Sequence, residues 1–84
     1  MEKLETYFAT QAAALMAVED ETRRRGYDIV YADRLWTEHV AYGSTVKYSF
    51  PLTVVKTGNE AKKWVHIQIY RMGSGKYELN FYIA

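Results

Sequence analysis

Eighty-four residues, 49% of them hydrophobic, with one Pro and no Cys, describe one domain that must hold itself together by an apolar core without disulfides. The missing thiols also exclude thiolate catalysis, iron–sulfur ligation and thiolate zinc sites, and leave the redox compartment open. Eleven Lys and Arg against ten Asp and Glu give a net charge of +1, short of the basic excess of a dedicated duplex-DNA binder. The charge is uneven along the chain. Residues 1 to 22 hold one cation and five acids, net −4, and the remainder holds ten cations and five acids, net +5. The apolar run Ala12 to Val18 follows an acidic segment and precedes three acids, unlike a secretory signal, and no run reaches the length of a membrane span. A soluble, cytoplasmic protein is expected.

Residues 2 to 25 carry a helical period, with Leu4, Phe8, Gln11 or Ala12, Leu15, Val18 and Thr22 on one stripe. Glu2 and Glu5 in the first turn and Arg23, Arg24 and Arg25 in the last suit the helix dipole, and Gly26 supplies a left-handed stop. Beyond Gly26 the period becomes two. Strands are expected over about 27–32, 45–56, 62–71 and 76–83. Over 34–42 the pattern fits either a strand or a short helix capped by Asp33, and the strand is favoured. Pro51 cannot donate to a ladder, which places its strand at an edge or bulges it near Phe50. Thr57-Gly58-Asn59 and Gly73-Ser74-Gly75 read as turns. The expected fold is α+β: a single domain over 1–84, with an N-terminal amphipathic helix packed on one face of a four- to five-stranded antiparallel meander sheet.

The supply of groups for catalysis is thin. His39 and His66 are the only histidines, and Glu38 beside His39 points to the opposite face of a strand. His39, His66 and Asp33 lack metal-ligand spacing and read as ordinary side chains. Gly73-Ser74-Gly75-Lys76 is not a phosphate loop: strand meets strand there, and Tyr77 rather than Ser or Thr follows the Lys. No catalytic residue, metal ligand or cofactor is expected, and the chain does not read as an enzyme.

The face opposite the core is the informative one. Alternation puts Lys47, Ser49, Thr53, Lys62, Trp64, His66, Gln68, Tyr70, Glu78, Asn80 and Tyr82 on it, and a single helix covers only one side of a sheet. Trp and Tyr anchor protein interfaces, and they also stack on bases. The expected binding residues are Trp64, His66, Tyr70, Tyr82, Lys47 and Lys62. Arg23 and Arg24 join them because guanidiniums grip oxyanions, although cations at a helix end are equally explained by its dipole. The favoured function is a small non-enzymatic protein-interaction module that docks a protein through this face or an edge strand, with self-association as a further expectation. A single-stranded nucleic-acid binder is the alternative, without an RNP octamer or GxxG loop to support it. By analogy of size and architecture alone, an inhibitor or adaptor of the kind carried by phages and mobile elements fits the first reading.

Overall fold

The computed structural model describes residues 1–2, 7–31 and 41–84. A helix, α1 (Gln11–Arg24), precedes four strands, β1 (Tyr27–Ile29), β2 (Thr45–Val54), β3 (Glu60–Arg71) and β4 (Tyr77–Ile83). The strands form one antiparallel sheet in the order β1-β2-β3-β4, so each pairs with its neighbour in sequence. This is the α+β meander expected from the sequence, with four strands among the described residues. The favoured strand over 34–42 falls largely on residues 32–40, outside them, and Ala41 and Tyr42 belong to no strand.

The helix is shorter than its periodicity implies. Thr10 is extended, and its hydroxyl accepts from the Ala13 N–H at 3.0 Å, satisfying a donor that the first helical turn leaves open. Phe8, two residues earlier, exchanges both backbone hydrogen bonds with Tyr77, and Glu2 does the same with Phe81. The segment before Thr10 thus meets the outer edge of β4 at two points. Positions four apart share one face in a helix and in a strand alike; the open donors and acceptors of β4 decide for pairing at Glu2 and Phe8. The first turn of α1 consequently holds no acid, contrary to the dipole role expected of Glu2; Leu4 and Glu5 lie outside the described residues. Removing the cap should be measurable. Thr10→Ala is expected to lower the unfolding free energy by about 0.5–2 kcal/mol in urea titration, with Thr10→Ser close to wild type.

From Gln11 onward the stripe is as expected: Gln11, Ala14, Leu15, Val18 and Thr22 are buried. The Thr22 hydroxyl donates to the Val18 carbonyl at 2.7 Å, so burial leaves it satisfied. Gly26, at φ 94°, takes the left-handed stop. Beneath α1 the sheet presents Tyr48, Phe50 and Leu52, then Val65, Ile67 and Ile69, then Tyr77, Leu79 and Phe81, all buried and in the alternation the sequence implies. Gln11 extends its amide across the core to the Tyr48 hydroxyl at 2.7 Å.

Two strand ends differ from expectation for local reasons. β1 ends at Ile29, and two residues on the Tyr31 hydroxyl donates to the Glu19 carboxylate of α1; burial, reinforced by that carboxylate, pushes its phenol up. β2 is interior, so of the two alternatives expected for Pro51 the bulge holds and the edge does not. Pro51 is tolerated there because β1 ends beside it: its carbonyl still accepts from the Val30 N–H at 2.9 Å, and the register shifts between Pro51 and Thr53. The facing part of β3 absorbs the shift through Lys62, whose φ of 55° is rare for a non-glycine residue.

An ion pair ties the first strand-like contact to the helix end. Arg25 donates from Nη2 to Glu2 Oε1 at 2.6 Å and from Nη1 to Glu2 Oε2 at 2.8 Å, and its guanidinium lies 5.1 Å from the centre of the Phe81 ring. The hydrogen bonds from Arg25 hold the Glu2 carboxyl below the usual carboxylate range, and the same bonds push Arg25 up. A depressed folded pKa means that the pair is stabilising above the unfolded carboxyl's pKa and is lost as pH falls through the lower folded value. Protection of the Phe81 amide, which donates to the Glu2 carbonyl at 3.0 Å, should therefore fall on acidification. Glu2→Gln should lower that protection at neutral pH. Equal protection in the variant, read by hydrogen exchange, would separate the backbone bridge from the ion pair.

Candidate functional site

Antiparallel registers arrange the outer face of the sheet in rows. Thr45, Tyr70 and Glu78 form one; Lys47, Gln68 and Asn80 the next; Ser49, His66 and Tyr82 the third; Pro51 stands beside Trp64 in the last. Trp64, Tyr70 and Tyr82 are 46%, 37% and 42% exposed. Trp64, His66 and Tyr70 run down β3 as an aromatic stripe roughly 20 Å long, at about 3.4 Å per residue. The helix packs on the other face, so no described element covers this one.

The third row is tightly built. Ser49 Oγ lies 2.9 Å from His66 Nδ1, and the His66 ring stacks on Tyr82 with centroids 4.5 Å apart and planes 22° from parallel. Each ring thus spends one face on the other. Beside it is a concavity of about 160 Å³, lined by Met1, Lys47, Ser49, His66, Gln68 and Tyr82 together with Tyr48 and Ile67 of the strands beneath.

The structure therefore brings Lys47, His66 and Tyr82 together, with Trp64 and Tyr70 flanking them. It does not bring the other candidate cations to the same place. Lys62 lies six residues from Gln68 along β3, beyond Trp64. Arg23 and Arg24 sit at the end of α1, in the layer across the sheet. Arg23 is 3.0 Å from Asp28 and Arg24 is 2.7 Å from Glu21, so the chain's own acids occupy them. Ser49, Gln68 and Met1 line the concavity although they were not among the expected binding residues. Parity in the sequence puts Ser49 and Gln68 on this face, but only the register between strands places them beside His66.

No protein-family model, curated protein or solved structure matches this chain. The site must be read from its own geometry. Among the described residues no three His, Asp or Glu gather closely enough to hold a metal ion, and Asp33 and His39 lie outside those residues. No described helix is long and apolar enough to cross a membrane. Gly73-Ser74-Gly75 joins β3 to β4 as a turn, closed by the Met72 N–H donating to the Lys76 carbonyl at 2.8 Å.

Proposed function

We propose that this chain is a non-enzymatic interaction module, acting as an inhibitor or adaptor, whose outer sheet face docks a protein surface that presents acidic side chains. The observation that carries this reading is the division of charge between the two layers. In the helix layer, Arg23, Arg24 and Arg25 are paired with Asp28, Glu21 and Glu2. On the sheet, Lys47, Lys62 and Lys63 are exposed and have no ion-pair partner among the described residues. Partly exposed Trp64 and Tyr82, between Lys47 and Lys62, and Tyr70, in the row beyond Lys47, are the residue types that anchor protein interfaces, and the lysines ask for negative charge opposite.

The lysines would also suit a single-stranded nucleic acid. The His66–Tyr82 stack favours a protein, because a base-stacking platform needs free ring faces and the central pair of this face has turned one face of each ring inward on the other. Docking by an edge strand is the less favoured route, since β4 is bridged by Glu2 and Phe8 and β1 is three residues long. The test is selection of binders from a random-peptide library on the immobilised chain. Peptides that lose affinity for Trp64→Ala and Tyr70→Ala but not for Met16→Ala, a change on the exposed side of α1, support the reading. Peptides indifferent to both outer-face changes overturn it.

A further inference from the structure

We infer that the concavity beside His66 is a subsite for one carboxylate, supplied by an acidic side chain of the docked protein. The inference rests on the docking reading above and deepens it by naming what the partner must insert. The lining offers the Lys47 ammonium, the Ser49 hydroxyl, the His66 ring, the Gln68 amide and the Tyr82 hydroxyl, and it contains no carboxylate. Lys47 brings a donor-only positive charge, and Gln68, Tyr82 and whichever of Ser49 and His66 keeps its proton can donate beside it, a set complementary to an anion. A volume of about 160 Å³ has room for the head of an Asp or Glu side chain.

No described acid, Asp20 and Glu60 included, lines the concavity. Glu2, Glu21 and Asp28 are held by arginines and Glu19 by Tyr31. Glu78 lies on the outer face two rows away, where Asn80 donates to it at 3.2 Å. Preorganisation adds to the argument. Ser49 and Tyr82 hold His66 from two sides, so the ring needs no reordering when a carboxylate arrives. The Met1 side chain and the Tyr82 ring in the lining would limit water around the bound anion and strengthen its bond to Lys47. A partner segment that matches this layout carries an acid within a few residues of an aromatic or aliphatic anchor, the acid in the notch and the anchor over Trp64.

The experiment uses peptides selected as above and, for each, a copy in which the acid is replaced by its amide. On the wild-type chain the replacement is expected to weaken binding by roughly tenfold or more, as loss of a charge-assisted hydrogen bond does. On Lys47→Glu the acid peptide should lose its advantage over the amide copy, whereas on Trp64→Ala both copies should weaken by a similar factor. An unchanged acid-to-amide ratio on Lys47→Glu, or selected peptides without acids, overturns the carboxylate subsite while leaving the docking face in place if Trp64→Ala still weakens them. Insensitivity to Trp64→Ala as well overturns the docking reading itself. Selection of no peptide at all overturns both.

Discussion

Phe81→Ala is expected to lower the unfolding free energy by about 3–5 kcal/mol, the range for deleting a fully buried aromatic ring and leaving a cavity. For a domain of this length, total stability on the order of 4–13 kcal/mol makes that a large share, and the variant should unfold at much lower urea. Phe81 is chosen because three parts of the chain meet on it. Its side chain is fully buried in the core, its backbone exchanges hydrogen bonds with Glu2, and the Arg25 guanidinium stands over its ring. Losing the ring removes core packing and also the surface on which Arg25 is held while it grips Glu2. Phe81→Leu, which keeps most of the volume, should cost about 1.5 kcal/mol or less and guards against a variant too unstable to purify. Trp64→Ala is the control from the opposite face and should stay within about 1 kcal/mol of wild type. A loss below about 1 kcal/mol for Phe81→Ala would mean that the ring is not in the core.

That contrast between Phe81 and Trp64 was legible before any coordinates, because a period of two assigns each strand residue to a face. The alternation of Tyr77, Leu79 and Phe81 against Glu78, Asn80 and Tyr82 is strict, and one amphipathic helix implies one covered face. What parity cannot give is register. Ser49, His66 and Tyr82 are 17 and 16 residues apart in sequence, and nothing local says that they share a row; turn lengths and the irregularity at Pro51 and Lys62 decide it. The start of the helix departs from its periodicity for a different reason. Phe8 and Leu15 fit one helical stripe, yet Phe8 reaches the core through the edge of β4 while Leu15 reaches it from α1. Local periodicity is blind to a distant strand with open hydrogen-bonding groups. The arginine run was ambiguous in the sequence because its acidic partners, Glu2, Glu21 and Asp28, lie up to 23 residues away or in another element. Only folding shows that these cations are already matched and that the unmatched positive charge is carried by the lysines of the sheet.

Binding, not stability, is where Trp64 and Tyr70 should register. Each replacement by Ala is expected to weaken a selected peptide by about 1–3 kcal/mol, which is roughly 5- to 150-fold in Kd, while the unfolding midpoint stays near that of wild type. The two side chains lie some 20 Å apart along β3, far enough that their effects should add when both are removed. Salt then distinguishes the two kinds of partner. A docked protein that sends a carboxylate toward Lys47 and covers apolar rings should lose only modest affinity as salt is raised, since exposed pairs are screened and buried apolar contact is not. A single strand held by Lys47, Lys62 and Lys63 would instead show the logarithm of affinity falling with the logarithm of salt at a slope near −2, about −0.7 for each phosphate neutralised. Measured with an unstructured oligonucleotide and with the peptides side by side, the expected outcome is weak oligonucleotide binding that Trp64→Ala barely changes. Tight oligonucleotide binding at physiological salt, with that slope and a loss of about 1–3 kcal/mol on Trp64→Ala, would assign the face to nucleic acid instead. The near-neutral net charge of +1 argues against that outcome, because long-range attraction for a polyanion depends on the field of the whole molecule, in which ten Asp and Glu nearly balance eleven Lys and Arg.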